Sequence, residues 1–145
     1  AIDSIALKSA LKREEIAHAF NFRRDIMFPL DDNVRLLPAL KKHGFGVYYI
    51  SNFPLDMFEE VRNDYYFFRH FDGGIISAEV KLCKPDVRIY RHFLDKYSLD
   101  PAGCLYIDDI EENVRAAGST GMKTLLTNGS VKISDELGKV LDINF

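Results

Sequence analysis

Cysteine is scarce in this chain of 145 residues, which has only Cys83 and Cys104. Two cysteines make no disulfide framework, and a reducing, cytoplasmic setting fits. Cys104 falls in an apolar run and reads as a small buried hydrophobe. An excess of one charge is also missing. The formal net charge is −3, which excludes nucleic-acid or membrane-surface partners recruited by bulk charge. No apolar run approaches the roughly 20 residues of a membrane-spanning helix, and no signal-peptide pattern opens the chain. The glycines form neither a Walker loop nor a dinucleotide fingerprint. His18, His43, His70 and His92 lack metal-ligand spacing. Repeats and low-complexity segments are absent. What remains is one domain's length of chain, with a hydrophobic fraction of 47%, enough for a real core.

The chain is organised around residues 104–109, CLYIDD. An apolar run of this kind predicts a strand buried on both faces, as in a parallel sheet. Two adjacent carboxylates end it. In open α/β sheets the ligand crevice lies beyond the carboxyl ends of the strands. Adjacent like charges are unfavourable without a cation or proton between them. Asp108 and Asp109 therefore read either as the acidic end of a site or as a solvated pair capping the next helix.

Residues 3–22 carry Ile5, Leu7, Leu11, Ile16, Ala19 and Phe20 at near-helical spacing. Residues 23–32 are irregular. Asp31 or Asp32 is a candidate N-cap for a helix through Val34, Leu36, Leu37 and Leu40, which Gly44 ends. Residues 45–50 predict a strand ending at Ser51-Asn52. Residues 55–70 are amphipathic and rich in Phe and Tyr; the aromatic run at 65–68 reads as core packing or as a partner surface. Residues 71–74 predict a turn, residues 74–77 a short strand, and residues 77–83 a loop. Pro85 suits the first position of a helix carrying Ile89, Phe93, Leu94 and Tyr97. After the strand to Asp109 come a helix from Glu111 to about Ser119, with Glu111 and Glu112 as a solvated first turn, then a strand at 122–126. Asn128-Gly129 predicts a turn, and residues 133–141 a last short helix. Alternation of strand and helix from Phe45 onward predicts a parallel sheet with helices on both faces. Residues 1–30, helical only, would be a separate layer or cap, and 31–145 the α/β core.

Three strand ends bring polar groups: Ser51-Asn52, Lys84-Pro85 and Asp108-Asp109. An acidic oxygen-rich pair suits Mg²⁺. A lysine and a hydroxyl suit the oxygens of a phosphoryl group. Taken singly, Ser-Asn is commonly a turn and Lys-Pro a helix start. Arg88, one helical turn beyond Lys84, reaches either a substrate phosphate or solvent.

In that order and spacing, Ser51-Asn52, Lys84-Pro85-Asp86 with Ile89-Tyr90, and Tyr106-Ile107-Asp108-Asp109 with Asn113 and Gly121 resemble motifs II, III and IV of the haloacid dehalogenase superfamily. The resemblance covers about residues 30–130. Its nearest branches are the sugar-phosphate phosphatases and the phosphatase-like domain of soluble epoxide hydrolase. It implies a three-layer Rossmann-like core with the remnant of a small helical cap, and a Mg²⁺-dependent phosphatase in the cytoplasm. The partner would be a small phosphorylated metabolite, with no nucleic acid or membrane. It also implies roles. Ser51 would hydrogen-bond the transferring phosphoryl group, with Asn52 beside it. Lys84 would neutralise the nucleophile and the phosphoryl oxygens. Asp109 would bind Mg²⁺, Asp108 would support it directly or through water, and Asn113 would orient the acidic loop.

One motif of the resembled family is missing. Its nucleophile and general acid–base residue form an Asp-x-Asp at the end of the first strand. Asp3, Asp25 and the pair Asp31-Asp32 are the candidates here. None has an apolar strand before it and a glycine turn after it. In the resembled fold that strand lies between those of motifs II and IV, and its loss would expose two apolar edges. The expectation is therefore a sheet lacking its central strand, with several tens of N-terminal residues present in the native protein, and a fragment without activity. A continuous sheet would contradict it. Alternatives are a 2-haloacid dehalogenase, which needs no metal and leaves the acidic pair unexplained, and a non-catalytic binding or regulatory domain that has lost the motif. A phosphoryl-accepting receiver domain would carry its lysine after the acidic pair, not before.

Overall fold

The computed structural model describes residues 12–15, 28–127 and 132–145. The chain divides into two compact units, residues 1–31 and 32–145. In the first, residues 13–15 are helical, and the Lys12 amide donates to the Glu15 carboxylate at 2.7 Å. The rest of the expected helix over 3–22 lies outside the described residues, as does the turn at Asn128-Gly129.

Helix α1 (Asp31–Lys42) lies, but for its first residue, in the larger unit. Asp31 and Asp32 lie inside its first turn rather than at a cap, where carboxylates still favour the helix dipole. Gly44 ends it as expected. Its φ is +83°, the Gly44 amide donates to the Lys41 carbonyl, and the Phe45 amide to that of Leu40. These paired bonds close a helix whose next residue is left-handed, a conformation glycine adopts at little cost.

Strand β1 (Tyr48–Ser51) pairs in parallel with β2 (Gly73–Ile76), Ser51 level with Ile76. Between them run α2 (Leu55–Asp64) and a 3₁₀ turn (Tyr66–His70). Side chains alternate across a strand, so β1 has two aromatic faces. Tyr49 meets Phe58, Phe68 and Phe71. Tyr48 meets Phe93 and Tyr97. The aromatic run at 65–68 thus packs partly inward, although Tyr66 stays exposed.

Residues 71–74 are not the expected turn. Asp72 holds Lys41 and the Val47 amide, and Gly73 and Gly74 belong to β2. A Cβ at Gly74 would collide with the Tyr49 ring, and one at Gly73 with Tyr97. Glycine is selected here by neighbouring rings, a signal that local turn chemistry does not carry. Likewise residues 77–80 form a short helix, α3 (Ser77–Val80), rather than loop. The next helix, α4 (Val87–Tyr97), begins after Pro85, with the Asp86 carboxylate capping the Arg88 amide.

Strand β3 (Leu105–Asp108) pairs in parallel with β4 (Lys123–Leu126). Helix α5 (Glu111–Gly118) connects them, and α6 (Ile133–Leu141) closes the chain. The core gathers Ile75, Ile89, Tyr90, Phe93, Leu94, Ala117 and Met122 beneath the strands.

Among the described residues the strands form two separate two-stranded sheets, β1–β2 and β3–β4. Between them lies a slot of about 640 Å³, with Tyr48, Tyr49 and Ile50 on one side and Leu105, Tyr106, Ile107 and Asp108 on the other. Among the described residues the expected gap in the sheet is present, between the strand ending at Ser51 and the strand ending at Asp108.

Candidate active site

The site is built at the carboxyl ends of β1 and β3. Asn52, just past β1, takes hold of Lys84 by its backbone. The Lys84 amide donates to Asn52 Oδ1 at 2.8 Å, and Asn52 Nδ2 donates to the Lys84 carbonyl at 2.9 Å. Nearby, the Phe53 amide donates to the buried Ser77 hydroxyl at 3.1 Å, tying the chain after β1 to the end of β2. The Lys84 side chain then reaches the other sheet, and its Nζ lies 2.7 Å from Asp108 Oδ2. Lys84 thus joins the ends of both sheets across the mouth of the slot.

Asp108 is buried and fully engaged. Oδ2 accepts from Lys84 and from the Tyr106 hydroxyl at 2.5 Å. Oδ1 accepts from the Ile110 amide and from Asn113 Nδ2, both at 3.0 Å. Burial by itself raises the Asp108 pKa. The hydrogen bonds from Lys84, Tyr106, Asn113 and the Ile110 amide outweigh burial and hold the carboxyl well below the usual carboxylate range. Burial, then the bond to Asp108, pushes the Tyr106 hydroxyl far upward, so it stays protonated as a donor. Its ring lies under the Lys84 ammonium at 6.0 Å and meets Tyr90 edge-on at 5.2 Å. Burial pushes the Tyr90 hydroxyl up, and it has no hydrogen-bond partner among the described residues.

Asp109 is different in kind. It is exposed and makes no hydrogen bond to a described residue. The two adjacent carboxylates divide the work that sequence alone left shared: Asp108 anchors the loop and Asp109 faces solvent. Ser51 is half-buried at the end of β1, its hydroxyl without a hydrogen bond to a described residue. Asn113, buried on α5, donates to Asp108 Oδ1. Arg88 is drawn away: its guanidinium forks onto Asp86 at 2.6–3.0 Å, and that bond holds the Asp86 carboxyl down at about 2. Glu111 and Glu112 are exposed, with Glu111 facing Arg115. Cys104 lies just before β3, half-buried, its thiol donating to the Asp100 carbonyl.

Tyr106 was the residue missed from sequence. Its signal was available, since residues two apart on a strand share a face. No group of three His, Cys, Asp or Glu side chains able to hold a metal occurs among the described residues. The donor set still suits Mg²⁺, which keeps several waters and takes one or two carboxylates plus substrate oxygens.

The residues 4–121 match the family model of haloacid dehalogenase-like hydrolases. A sesquiterpene phosphatase of Aspergillus oryzae is 33% identical over 131 residues, covering 90% of this chain and 67% of its own length. Bifunctional epoxide hydrolase 2 of Rattus norvegicus is 32% identical over 113 residues, which span 74% of this chain and 20% of that protein. Among solved structures, a haloacid dehalogenase-family enzyme of Bacteroides thetaiotaomicron in complex with magnesium and inorganic phosphate superposes with a TM-score of 0.75 at 22% identity, covering 92% of this chain and 70% of that one. That likeness shows the same fold, a Rossmann-like α/β core. With its family signature running through both sheets and the loop of Asp108 and Asp109, this chain belongs to the haloacid dehalogenase-like hydrolases.

Proposed function

We propose that the protein is a Mg²⁺-dependent phosphatase acting on a small phosphomonoester, with a sugar phosphate as the substrate class. The observation that carries this reading is the bridge from Lys84 to the acidic loop, with Asp109 left open to solvent beside it. A dehalogenase, which needs no metal, gives that second carboxylate no task. The matched relative named as a phosphatase supports the same choice.

In this reading the Ser51 hydroxyl donates to a phosphoryl oxygen. The Lys84 ammonium neutralises the nucleophile and the oxygens that gain charge in the transition state. Asp109 would hold the ion, and Mg²⁺ when bound supplies charge neutralisation at the phosphoryl group. Asp108 keeps Lys84 and the loop in place through its four hydrogen bonds, and Asn52 fixes the Lys84 backbone. The nucleophile is an aspartate on a strand that residues 1–145 do not contain as a motif. Its carboxylate attacks phosphorus, the ester oxygen leaves with a proton, and water then hydrolyses the aspartyl-phosphate. Residues 1–30 are assigned to a helical cap, and residues 31–145 to the core.

A second substrate reading comes from the sesquiterpene phosphatase, 33% identical across 90% of this chain: a phosphomonoester with an apolar isoprenoid body. One screen tests both. Phosphate release by the full-length protein is measured with Mg²⁺ and with chelator, against sugar phosphates and prenyl phosphates. Release that requires Mg²⁺ supports the reading, and the better class names the substrate. Release from 2-haloacids of halide, with chelator present and no phosphatase activity, would replace it.

A further inference from the structure

One polar group near Asp108 has no part in the site as described so far. The Tyr90 side chain is fully buried, and its hydroxyl has no hydrogen-bond partner among the described residues. It is the one such side-chain atom among them. A buried donor without a partner destabilises the fold, whereas a phenylalanine would fill the same space without that loss. Stability alone therefore does not explain the hydroxyl. Its surroundings suggest a use. The Tyr90 ring meets the Tyr106 ring edge-on, with centroids 5.2 Å apart. Burial pushes both hydroxyls up, and each also acts on the other's ionisation. The two oxygens are neighbours, although no hydrogen bond joins them.

The Tyr106 oxygen can accept such a bond. Its proton is donated to Asp108 Oδ2 at 2.5 Å, and a phenolic oxygen that donates can still accept. The same Oδ2 accepts from Lys84 Nζ at 2.7 Å. With side-chain exposures of 14% and 5%, Lys84 and Asp108 are nearly out of water. A carboxylate buried to this degree is strongly destabilised when its cation is drawn away. Phosphoryl transfer makes that demand, because Lys84 must turn its charge toward the phosphoryl oxygens.

We propose that Tyr106 and Tyr90 are positioning residues that hold Asp108 while Lys84 is shared with a phosphoryl group. As the ammonium moves toward the phosphoryl oxygens, the Tyr106 hydroxyl carries more of the charge on Oδ2. The Tyr90 hydroxyl then closes onto the Tyr106 oxygen. Hydrogen bonds in a chain polarise one another, so the second hydroxyl strengthens the first. The chain from Tyr90 through Tyr106 to Asp108 replaces part of the compensation that Lys84 withdraws. Both tyrosines act through Asp108, not on the substrate.

The inference rests on the phosphatase reading for the group that draws Lys84 away, so it is tested with and without turnover. In the first arm, kcat, KM and thermal melting are measured for the full-length protein and for Tyr90→Phe and Tyr106→Phe, with Mg²⁺ and a phosphomonoester that the parent hydrolyses. Tyr90→Phe should melt no lower than the parent. Its kcat should nevertheless fall roughly two- to tenfold with KM little changed, the scale of one neutral hydrogen bond made in the transition state. Tyr106→Phe should lose roughly ten- to a hundredfold in kcat, the scale of a bond to a charged group. A packing role alone would lower the melting temperature and leave kcat unchanged. In the second arm, tyrosines isotope-labelled at Cζ are followed by NMR while inorganic phosphate is added with Mg²⁺. The Tyr90 and Tyr106 signals should both move in the parent, and the Tyr90 signal should stay in place in Tyr106→Phe. A Tyr90 signal that phosphate does not move, or a Tyr90→Phe variant with the parent's kcat, would overturn the proposal. Tyrosine signals that respond to phosphate in a protein without phosphatase activity would sink the phosphatase reading alone. An active protein whose Tyr90→Phe variant keeps the parent's kcat would sink this inference alone.

Discussion

Asp108 is the residue on which the site's geometry depends, and its chemistry makes it vulnerable. Four donors converge on a buried carboxylate. Asp108→Asn leaves the Lys84 ammonium uncompensated, and breaking a buried pair in this way costs roughly 3–5 kcal/mol. Urea denaturation should show that loss. Tyr106→Phe removes one hydrogen bond to a charged group and should cost about 1.5–3 kcal/mol, with the fold retained. The pH dependence follows from the same carboxylate. Its folded pKa lies below the unfolded value of about 3.9, so the unfolded state binds the proton more readily. The stability it contributes is present in full above that unfolded pKa and is lost as pH falls through it toward the folded value. Stability measured from pH 6 down to pH 3 should therefore fall, and the fall should be shallower in Asp108→Asn. Sequence placed Ser51, Asp108 and Asp109 at strand ends because each follows or closes a clear apolar run, whereas Lys84, expected after a strand and loop, follows the short helix α3. It could not divide the roles of Asp108 and Asp109, since both are the same residue type in adjacent positions. Only their partners separate them. Asn52 is a similar case: its amide holds the Lys84 backbone, a contact 32 residues away that no local pattern announces.

At the scale of elements, helices were the more legible part. Helix α1 ends at its glycine, α5 starts at Glu111, and α6 spans Ile133–Leu141, each marked by amphipathic spacing and end residues. Strand β2 was read one residue late, from Gly74 to Ser77, because turn propensity at Gly73 is a local signal and the rings of Tyr49 and Tyr97 are not local. This makes a direct prediction. Gly74→Ala should lower thermal stability by about 1–3 kcal/mol, the usual scale of overpacking, because its Cβ collides with the Tyr49 ring. Asn52→Ala releases both hydrogen bonds to the Lys84 backbone and should cost about 1–2 kcal/mol by denaturant titration, while leaving the strands in place. The helix after Lys84 starts two residues later than Pro85 suggested, because Asp86 supplies a side-chain cap that proline cannot.

Across the whole molecule, the slot is the feature that sequence motifs and fold explain together. Two motifs stand at the ends of the strands that flank it. None of the described helices is long and apolar enough to cross a membrane. Family and fold are settled by the match over residues 4–121 and by the solved relatives. We propose that Asp109, not its buried neighbour, presents the open carboxylate of a Mg²⁺-dependent phosphoryl site. Its most direct measurement is Mg²⁺-dependent phosphate release by the full-length protein and its Asp109→Asn variant, with thermal melting of both. Asp109 is exposed and unengaged, so the variant should melt within about 0.5 kcal/mol of the parent. Its phosphatase rate should drop by two or more orders of magnitude, on the order of the several kcal/mol that a bound cation contributes. A variant that folds normally and releases phosphate at the parent rate would remove Asp109 from the metal site.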